Sequence, residues 1–240
     1  MILFISDLHL DSSRPAITQA FYRFLEERAP RAQALYILGD LFELWVGDDD
    51  DAPLVLEVQS RLRQLADTGT ALFFIHGNRD FLIGRQFAAA TGAQLLPDPS
   101  LIDIDGQQVL LMHGDTLCTR DRDYLAFRQQ VRQPEWIAGV LAKSLEERRA
   151  LGRQLRAQSQ SMNSRKAEDI MDVTEKEVRA VMQAHAVKTL IHGHTHRPAR
   201  HQVELDCGAG ERIVLGDWDR EAWCLRYDGD WELYSWRIPA

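Results

Sequence analysis

The chain has 240 residues, 45% of them hydrophobic and 27% charged, with a formal net charge of −8. That size and balance suit an ordinary globular protein of one large domain, and the acidic sign argues against a general nucleic-acid binder. Three cysteines without CxxC spacing lead us to expect reduced thiols in a cytoplasmic protein rather than a disulfide framework.

In chain order, Ile2-Leu3-Phe4-Ile5 reads as a buried strand, and Asp7-Leu8-His9 follow at once. No basic apolar leader precedes it and no stretch is long enough to span a bilayer, so neither secretion nor membrane insertion is expected. A helix is predicted from Pro15 to Arg28, then a strand from Leu35 to Leu38 ending at Gly39-Asp40. A second helix, Ala52 to Ala66, leads to a strand at Leu72 to Ile75 and then to Gly77-Asn78-Arg79-Asp80. A third helix is predicted over Leu82 to Ala90, with Gly69 and Gly92 marking helix exits. Val109 to Met112 forms the next strand, ending at His113-Gly114-Asp115. These polar segments arrive at residues 7, 40, 78 and 113, at intervals of 33 to 38 residues. That interval holds one strand, one helix and their loops, so an α/β fold is expected with the polar residues gathered at one sheet edge.

The next such segment, Gly193-His194-Thr195-His196, comes 81 residues after His113 and follows Thr189-Leu190-Ile191. The long interval has helical periodicity in Leu125, Phe127, Val131, Trp136, Ile137, Val140, Leu141, Leu145, Leu151 and Leu155. It reads as a helical insertion over about 120–166, with Pro134 opening a new helix, and then a core helix near 172–185. Thr174 to Glu177 has the form of a capping box. The insertion carries eleven Lys or Arg against five Asp or Glu, a local +6 beside −14 for the remainder. Such a segment suits a small anionic substrate or is simply a solvated helix face. Beyond His196, short strands at Gln202 to Leu205, Ile213 to Leu215, Trp223 to Tyr227 and Trp231 to Trp236 suggest an antiparallel finish. The acidic run Asp48 to Asp51 reads as a solvated loop, while Glu43 and Trp45 are expected to shape a pocket. His76 and His192 are expected to be structural, and Asp80 and Asp115 to orient nearby ligands.

The chemistry lies in the strand-end residues taken together. Asp7 and His9, two apart in a loop, can clamp one ion. Asp40 can bridge because its carboxylate offers an oxygen to each of two ions, and Asn78 supplies a neutral oxygen. His113, His194 and His196 complete two shells of the oxygen and imidazole type preferred by hard divalent ions such as Mn²⁺. Two such ions sharing a water are the apparatus of a binuclear metallohydrolase.

In this order the motifs D-x-H, G-D, G-N, H and G-H-x-H resemble those of the calcineurin-like metallophosphoesterase superfamily. The resemblance implies a sandwich of two packed sheets flanked by helices, in one domain spanning 1–240 with a helical lid at about 120–166. It implies that Asp7, His9, Asp40 and His196 hold one ion, and that Asp40, Asn78, His113 and His194 hold the other. Many members carry histidine after the asparagine of the third motif; here Arg79 stands instead, suited to phosphate oxygens but not to donating a proton near neutral pH. The longer strings ISDLHL, ILGDLFELWVGDD, HGNRDF, LMHGDTLC and IHGHTHRP resemble the branch of that superfamily that splits UDP-2,3-diacylglucosamine in lipid A synthesis.

That branch implies two Mn²⁺ ions and attack of a metal-activated water on the α-phosphorus, giving UMP and 2,3-diacylglucosamine 1-phosphate. It implies Asp40, Asn78, Arg79 and His113 as catalytic residues. The implied substrate contacts are Asn78, Arg79, Asp121, Ser159, Asn163, Lys166 and His194, with Asp121 and Asn163 on the glucosamine and Lys166 and Arg79 on phosphate. It also implies peripheral contact with the cytoplasmic face of the inner membrane, with no nucleic acid and no obligatory protein partner. Two other readings share the metal motifs: a different phosphoesterase activity, and a binder of lipid or nucleotide without turnover.

Overall fold

Runs of β-branched, leucyl and aromatic residues set the strands, because a chain buried on both faces needs apolar side chains at every position. The computed structural model describes residues 1–163 and 170–239, without the side chains of residues 160, 162 and 163. Strand β1 (Ile2–Ile5) is followed by helix α1 (Pro15–Glu27), β2 (Ala34–Ile37), α2 (Pro53–Asp67), β3 (Ala71–Ile75), α3 (Arg85–Thr91) and β4 (Gln94–Leu96). Next come β5 (Ser100–Ile104) and β6 (Gln107–Met112), then α4 (Arg122–Val131), α5 (Pro134–Leu141), α6 (Leu145–Asn163) and α7 (Glu175–Ala184). The described residues end with β7 (Thr189–His192), β8 (Ala199–Leu205), β9 (Gly208–Val214), β10 (Glu221–Tyr227) and β11 (Trp231–Arg237).

Two sheets result, ordered β11-β10-β1-β2-β3-β4 and β5-β6-β7-β9-β8 among the described residues. The strands β1 to β4 run parallel, as do β6, β7 and β9, so their C-terminal ends share an edge. The hairpin β10–β11 and the pair β8–β9 run antiparallel, as the turn-rich C-terminal sequence predicts, although β9 departs from that expectation by also pairing parallel with β7; the outer strand β5 pairs antiparallel with β6. Side-chain alternation does the layering. Phe4, Tyr36, Ile75, Val109, Leu111, Ile191 and Ile213 meet between the sheets. Their neighbours Leu3, Ile5, Leu35, Leu72 and Phe74 face α1 to α3, and Leu110, Met112 and Leu190 face α7. The product is the expected sandwich of two sheets flanked by helices.

Several expectations shift. The third helix starts at Arg85 rather than Leu82, because Asp48, far away in sequence, accepts from Gly84 N, Gln86 N and Phe87 N and so caps it there. The capping box at Thr174 is not made: its hydroxyl bonds the Thr119 hydroxyl at 2.7 Å, tying the start of α7 to the segment after β6. Strands β4 and β5 escaped the sequence reading, being short and flanking Pro97 and Pro99.

The acidic run is solvated only in part: Asp49 and Asp51 are exposed as expected, but all four acids also have partners. Besides the cap made by Asp48, Asp49 pairs with Arg148 and both Asp50 and Asp51 pair with Arg149. The basic excess of the insertion is spent in the same way. Arg128 binds Asp115 at 2.7 Å, Arg132 donates to Gly77 O at 2.8 Å, and Arg156 pairs with Glu43. These arginines hold α4 and α6 against the body of the molecule instead of facing solvent. Among the described residues no helix is long and apolar enough to cross a membrane.

Candidate metal centre

Each expected ligand leaves the C-terminal end of a parallel strand. Asp7 and His9 follow β1, Asp40 follows β2, Asn78 follows β3, His113 follows β6, and His194 and His196 follow β7. Backbone hydrogen bonds lock these loops together: Asp7 N to Gly39 O at 3.1 Å, His9 N to Asp40 O at 3.0 Å, and Gly193 N to His113 O at 2.9 Å. Gly77 is required by close approach, because a Cβ there would lie 2.1 Å from Asp40 Oδ1. Asp80 braces the same two loops, accepting from Gly77 N and Leu41 N, both at 2.8 Å. Asp115 accepts from Tyr124 Oη and Arg128 and so anchors α4.

The backbone itself is held in an unusual shape. Asp7, His9, Asp40, His194 and His196 all have left-handed φ values between 48° and 68°. Such residues cost about 1–3 kcal/mol each and persist where surrounding structure enforces them, typically at functional sites.

Donor atoms converge in two groups. His9 Nε2 lies 3.2 Å from His196 Nε2 and 3.8 Å from Asp40 Oδ2, and His196 Nε2 is 3.5 Å from Asp7 Oδ1. In the other group, Asn78 Oδ1 is 2.9 Å from both His113 Nε2 and His194 Nδ1, and His113 Nε2 is 3.9 Å from Asp40 Oδ1. Adjacent donors around a six-coordinate ion with bonds of about 2.1 Å stand about 3 Å apart; the 2.9 and 3.2 Å separations match this, and those of 3.5 to 3.9 Å are wider. Asp7 Oδ1 is buried without a hydrogen-bond partner, an expensive state for a carboxylate oxygen unless a cation meets it. The donor set and its spacing therefore fit divalent ions. Asp7, His9 and His196, and Asp7, Asp40 and His113, each bring their donor atoms within 4.8 Å of one another.

Protonation follows from the same crowding. Burial opposes the charged form of Asp7, yet the His196 contact, with His113 and His9 nearby, holds its carboxyl far below the usual range. Burial likewise opposes the His113 imidazolium, but Asp40, Asp115 and Asp7 hold its pKa up to about 9. For His196, Asp217 and Asp7 overcome burial and hold it up to about 10. His194 goes the other way, to about 4, through burial and the His113 charge. A carboxylate-rich cluster thus keeps protons on two imidazoles, and cation binding would release them.

Two contacts to ligands stand outside the expected list. His9 Nδ1 is 3.0 Å from Glu43 Oε2, and His196 Nδ1 is 3.4 Å from Asp217 Oδ2. These carboxylates orient the imidazoles from behind. Glu43, like Trp45, lines the cavity as the sequence predicts, but its bond to His9 has no sequence signal. Asp217 left a readable signal, since Gly216-Asp217 follows the apolar run Ile213 to Leu215 just as Gly39-Asp40 follows Leu35 to Leu38. The expected structural histidines behave as such: His76 Nε2 bonds Ile83 O at 2.7 Å and His192 Nδ1 bonds Gly193 O at 2.8 Å.

The cluster opens into a cavity of about 1000 Å³. One part of its wall is polar, with His9, Asp40, Asn78, Arg79, His194 and His196; another is apolar, with Phe81, Phe127, Trp136, Val140 and Leu155. Arg79 Nε is buried and lacks a partner, and burial lowers the guanidinium pKa, so the group is poised for an anion. Asp121 and Ser159 line the cavity as expected, although Asp121 Oδ1 also caps α4 through Tyr124 N at 3.1 Å. The Asn163 side chain and Lys166 lie outside the described residues.

Comparison with known proteins places these features. Residues 1–198 match the family described as calcineurin-like phosphoesterase. A UDP-2,3-diacylglucosamine hydrolase of Cellvibrio japonicus is 57% identical over 93% of this chain and 93% of its own. Its namesakes in Pseudomonas aeruginosa and Chromohalobacter salexigens are each 53% identical over 95% of this chain, covering 95% and 93% of their own lengths.

Proposed function

Given that the chain belongs to the calcineurin-like phosphoesterase family, we propose that it hydrolyses the pyrophosphate bond of UDP-2,3-diacylglucosamine, giving UMP and 2,3-diacylglucosamine 1-phosphate. The observation that carries this reading is the cavity whose lining joins five of the seven expected ligands, His9, Asp40, Asn78, His194 and His196, to an apolar wall built largely by α4, α5 and α6. A substrate with a diphosphate at one end and two acyl chains at the other needs both textures side by side.

Two Mn²⁺ ions would be held here, one by Asp7, His9, Asp40 and His196, the other by Asp40, Asn78, His113 and His194. When bound, such a pair lowers the pKa of a shared water and stabilises the attacking and leaving oxygens of a phosphoryl centre. The chain supplies the rest. His113 is fixed by Leu38 O at 2.8 Å from Nδ1, so its Nε2 faces the cluster. Arg79 meets the phosphate oxygens with a fork of donors and keeps its proton throughout. Tyr124, its phenol held protonated by burial and Asp115, packs with its ring centroid 5.9 Å from that of His194. Asp121 and Ser159 contact the sugar, joined in this role by Asn163, and Lys166 meets phosphate.

Helices α4 to α6 act as a lid within a single domain. Phe127 and Leu141 of this region are 38% and 42% exposed and provide peripheral contact with the cytoplasmic face of the inner membrane. The test is to incubate the purified, Mn²⁺-loaded chain with UDP-2,3-diacylglucosamine and measure UMP. Release that stops on chelation and returns best with Mn²⁺ supports the reading. Hydrolysis of simple phosphodiesters without UMP release would overturn the substrate while leaving the family chemistry intact.

A further inference from the structure

The loop that follows Asp40 is built around one arginine of α6. Arg148 is only 4% exposed. Its Nη1 donates to Val46 O and to Asp49 Oδ1, both at 2.7 Å, its Nη2 to Asp49 Oδ2, and its Nε to Lys143 O at 3.1 Å. This is a two-pronged carboxylate pair with two further donors taken by carbonyls, which a lysine cannot reproduce. The loop leaves room for it through Gly47, where φ is +138° and a Cβ would lie 2.2 Å from Arg148 Nη1. Four residues further along α6, Gly152 lets the helix close on Leu44.

The loop is equally fixed at its other contacts. Trp45 N donates to Arg79 O at 3.1 Å, Leu41 N to Asp80, and Gly84 N to Asp48. The segment from 41 to 51 thus runs from the bridging carboxylate to the clamp, and α6 continues from the clamp to Ser159, about 16 Å along its axis. Arg148 is therefore, with Arg149 and Arg156, one of the points that fix α6 and the Leu155 it brings to the cavity relative to the strand-end donors.

We propose that the Arg148–Asp49 clamp, seated on Gly47, is a positioning device for substrate specificity. It holds α6 at the separation required by a molecule that occupies both the polar and the apolar parts of the cavity. The inference rests on the lipid-nucleotide reading above. Small phosphodiesters that use only the strand-end donors do not depend on it.

The test compares wild type, Arg148→Lys, Asp49→Asn and the double variant. Each is assayed on UDP-2,3-diacylglucosamine and on bis(p-nitrophenyl) phosphate, with amide hydrogen exchange followed over 145–159. The expected result is a KM for the lipid nucleotide raised about tenfold with kcat within about twofold. Diester hydrolysis and metal content stay unchanged, exchange in α6 is faster, and the double variant is no worse than either single one. Equal losses on both substrates would reduce the clamp to a general stabilising contact and overturn the proposal, as would unchanged exchange and unchanged KM. A wild type that cleaves the diester but never the lipid nucleotide would overturn the substrate reading, a result distinct from failure of the clamp.

Discussion

His113 Nε2 and His194 Nδ1 lie at the same distance, 2.9 Å, from a single oxygen, Asn78 Oδ1. With His194 held neutral at physiological pH by burial and the His113 charge, three donor atoms face one point. Asn78→Ala removes the neutral oxygen from that point. Metal per chain is expected to fall from about two toward about one, and turnover to drop by more than the roughly 10–100-fold loss typical of outer partners. Elemental analysis and UMP release read the two effects; two retained ions with normal turnover would discard the assignment.

Arg79 carries a different expectation, because its side chain offers charge and hydrogen bonds without binding an ion. Arg79→Ala should lower kcat by about 10²–10³ at unchanged metal content, the scale set by loss of one transition-state donor. Arg79→Lys should recover part of it, returning charge but not the fork. A loss of metal in either variant would move Arg79 from phosphate contact to support of the cluster.

Glu43 and Asp217 stand behind His9 and His196. Glu43→Gln and Asp217→Asn should each weaken metal affinity about 10–100-fold, measured by competition with a chelating dye. Saturating metal should restore most of the turnover. Persistent loss at saturation would assign these carboxylates a role beyond holding the imidazoles.

Asp48→Ala removes the distant cap of α3 and the three backbone contacts that it satisfies. The expected cost is about 1 kcal/mol, a fall of roughly 2–4 °C in Tm for a chain of this size, with metal content unchanged. A calorimetric midpoint that stays put would show that water replaces the carboxylate without loss.

The parts of the fold that were legible in sequence are those set by local periodicity. Apolar runs such as Leu72 to Ile75 became strands, and the polar residues after them became the cluster. The acidic run is partly exposed, as its sequence suggests, but its docking is not legible because its partners lie far away. Asp49 and Arg148 are 99 residues apart, and nothing local distinguishes a docked aspartate from a solvated one. The cap at Thr174 failed for the same reason: a hydroxyl that could serve its own helix serves Thr119 instead. Asp217 is legible in principle, since it repeats the Gly-Asp strand ending of Asp40.

The left-handed backbone at Asp7, His9, Asp40, His194 and His196 narrows how this centre can change. Aspartate and histidine, with asparagine, are among the non-glycine residues most at home in that conformation, and they also donate oxygen or nitrogen to hard cations. One small alphabet therefore answers two demands at once. Replacing Asp7 by Glu, or His196 by Cys, keeps a donor but surrenders the handedness of the loop. A change of ion preference in this scaffold would accordingly be made from behind, through residues such as Glu43 and Asp217, with the left-handed loop residues left in place.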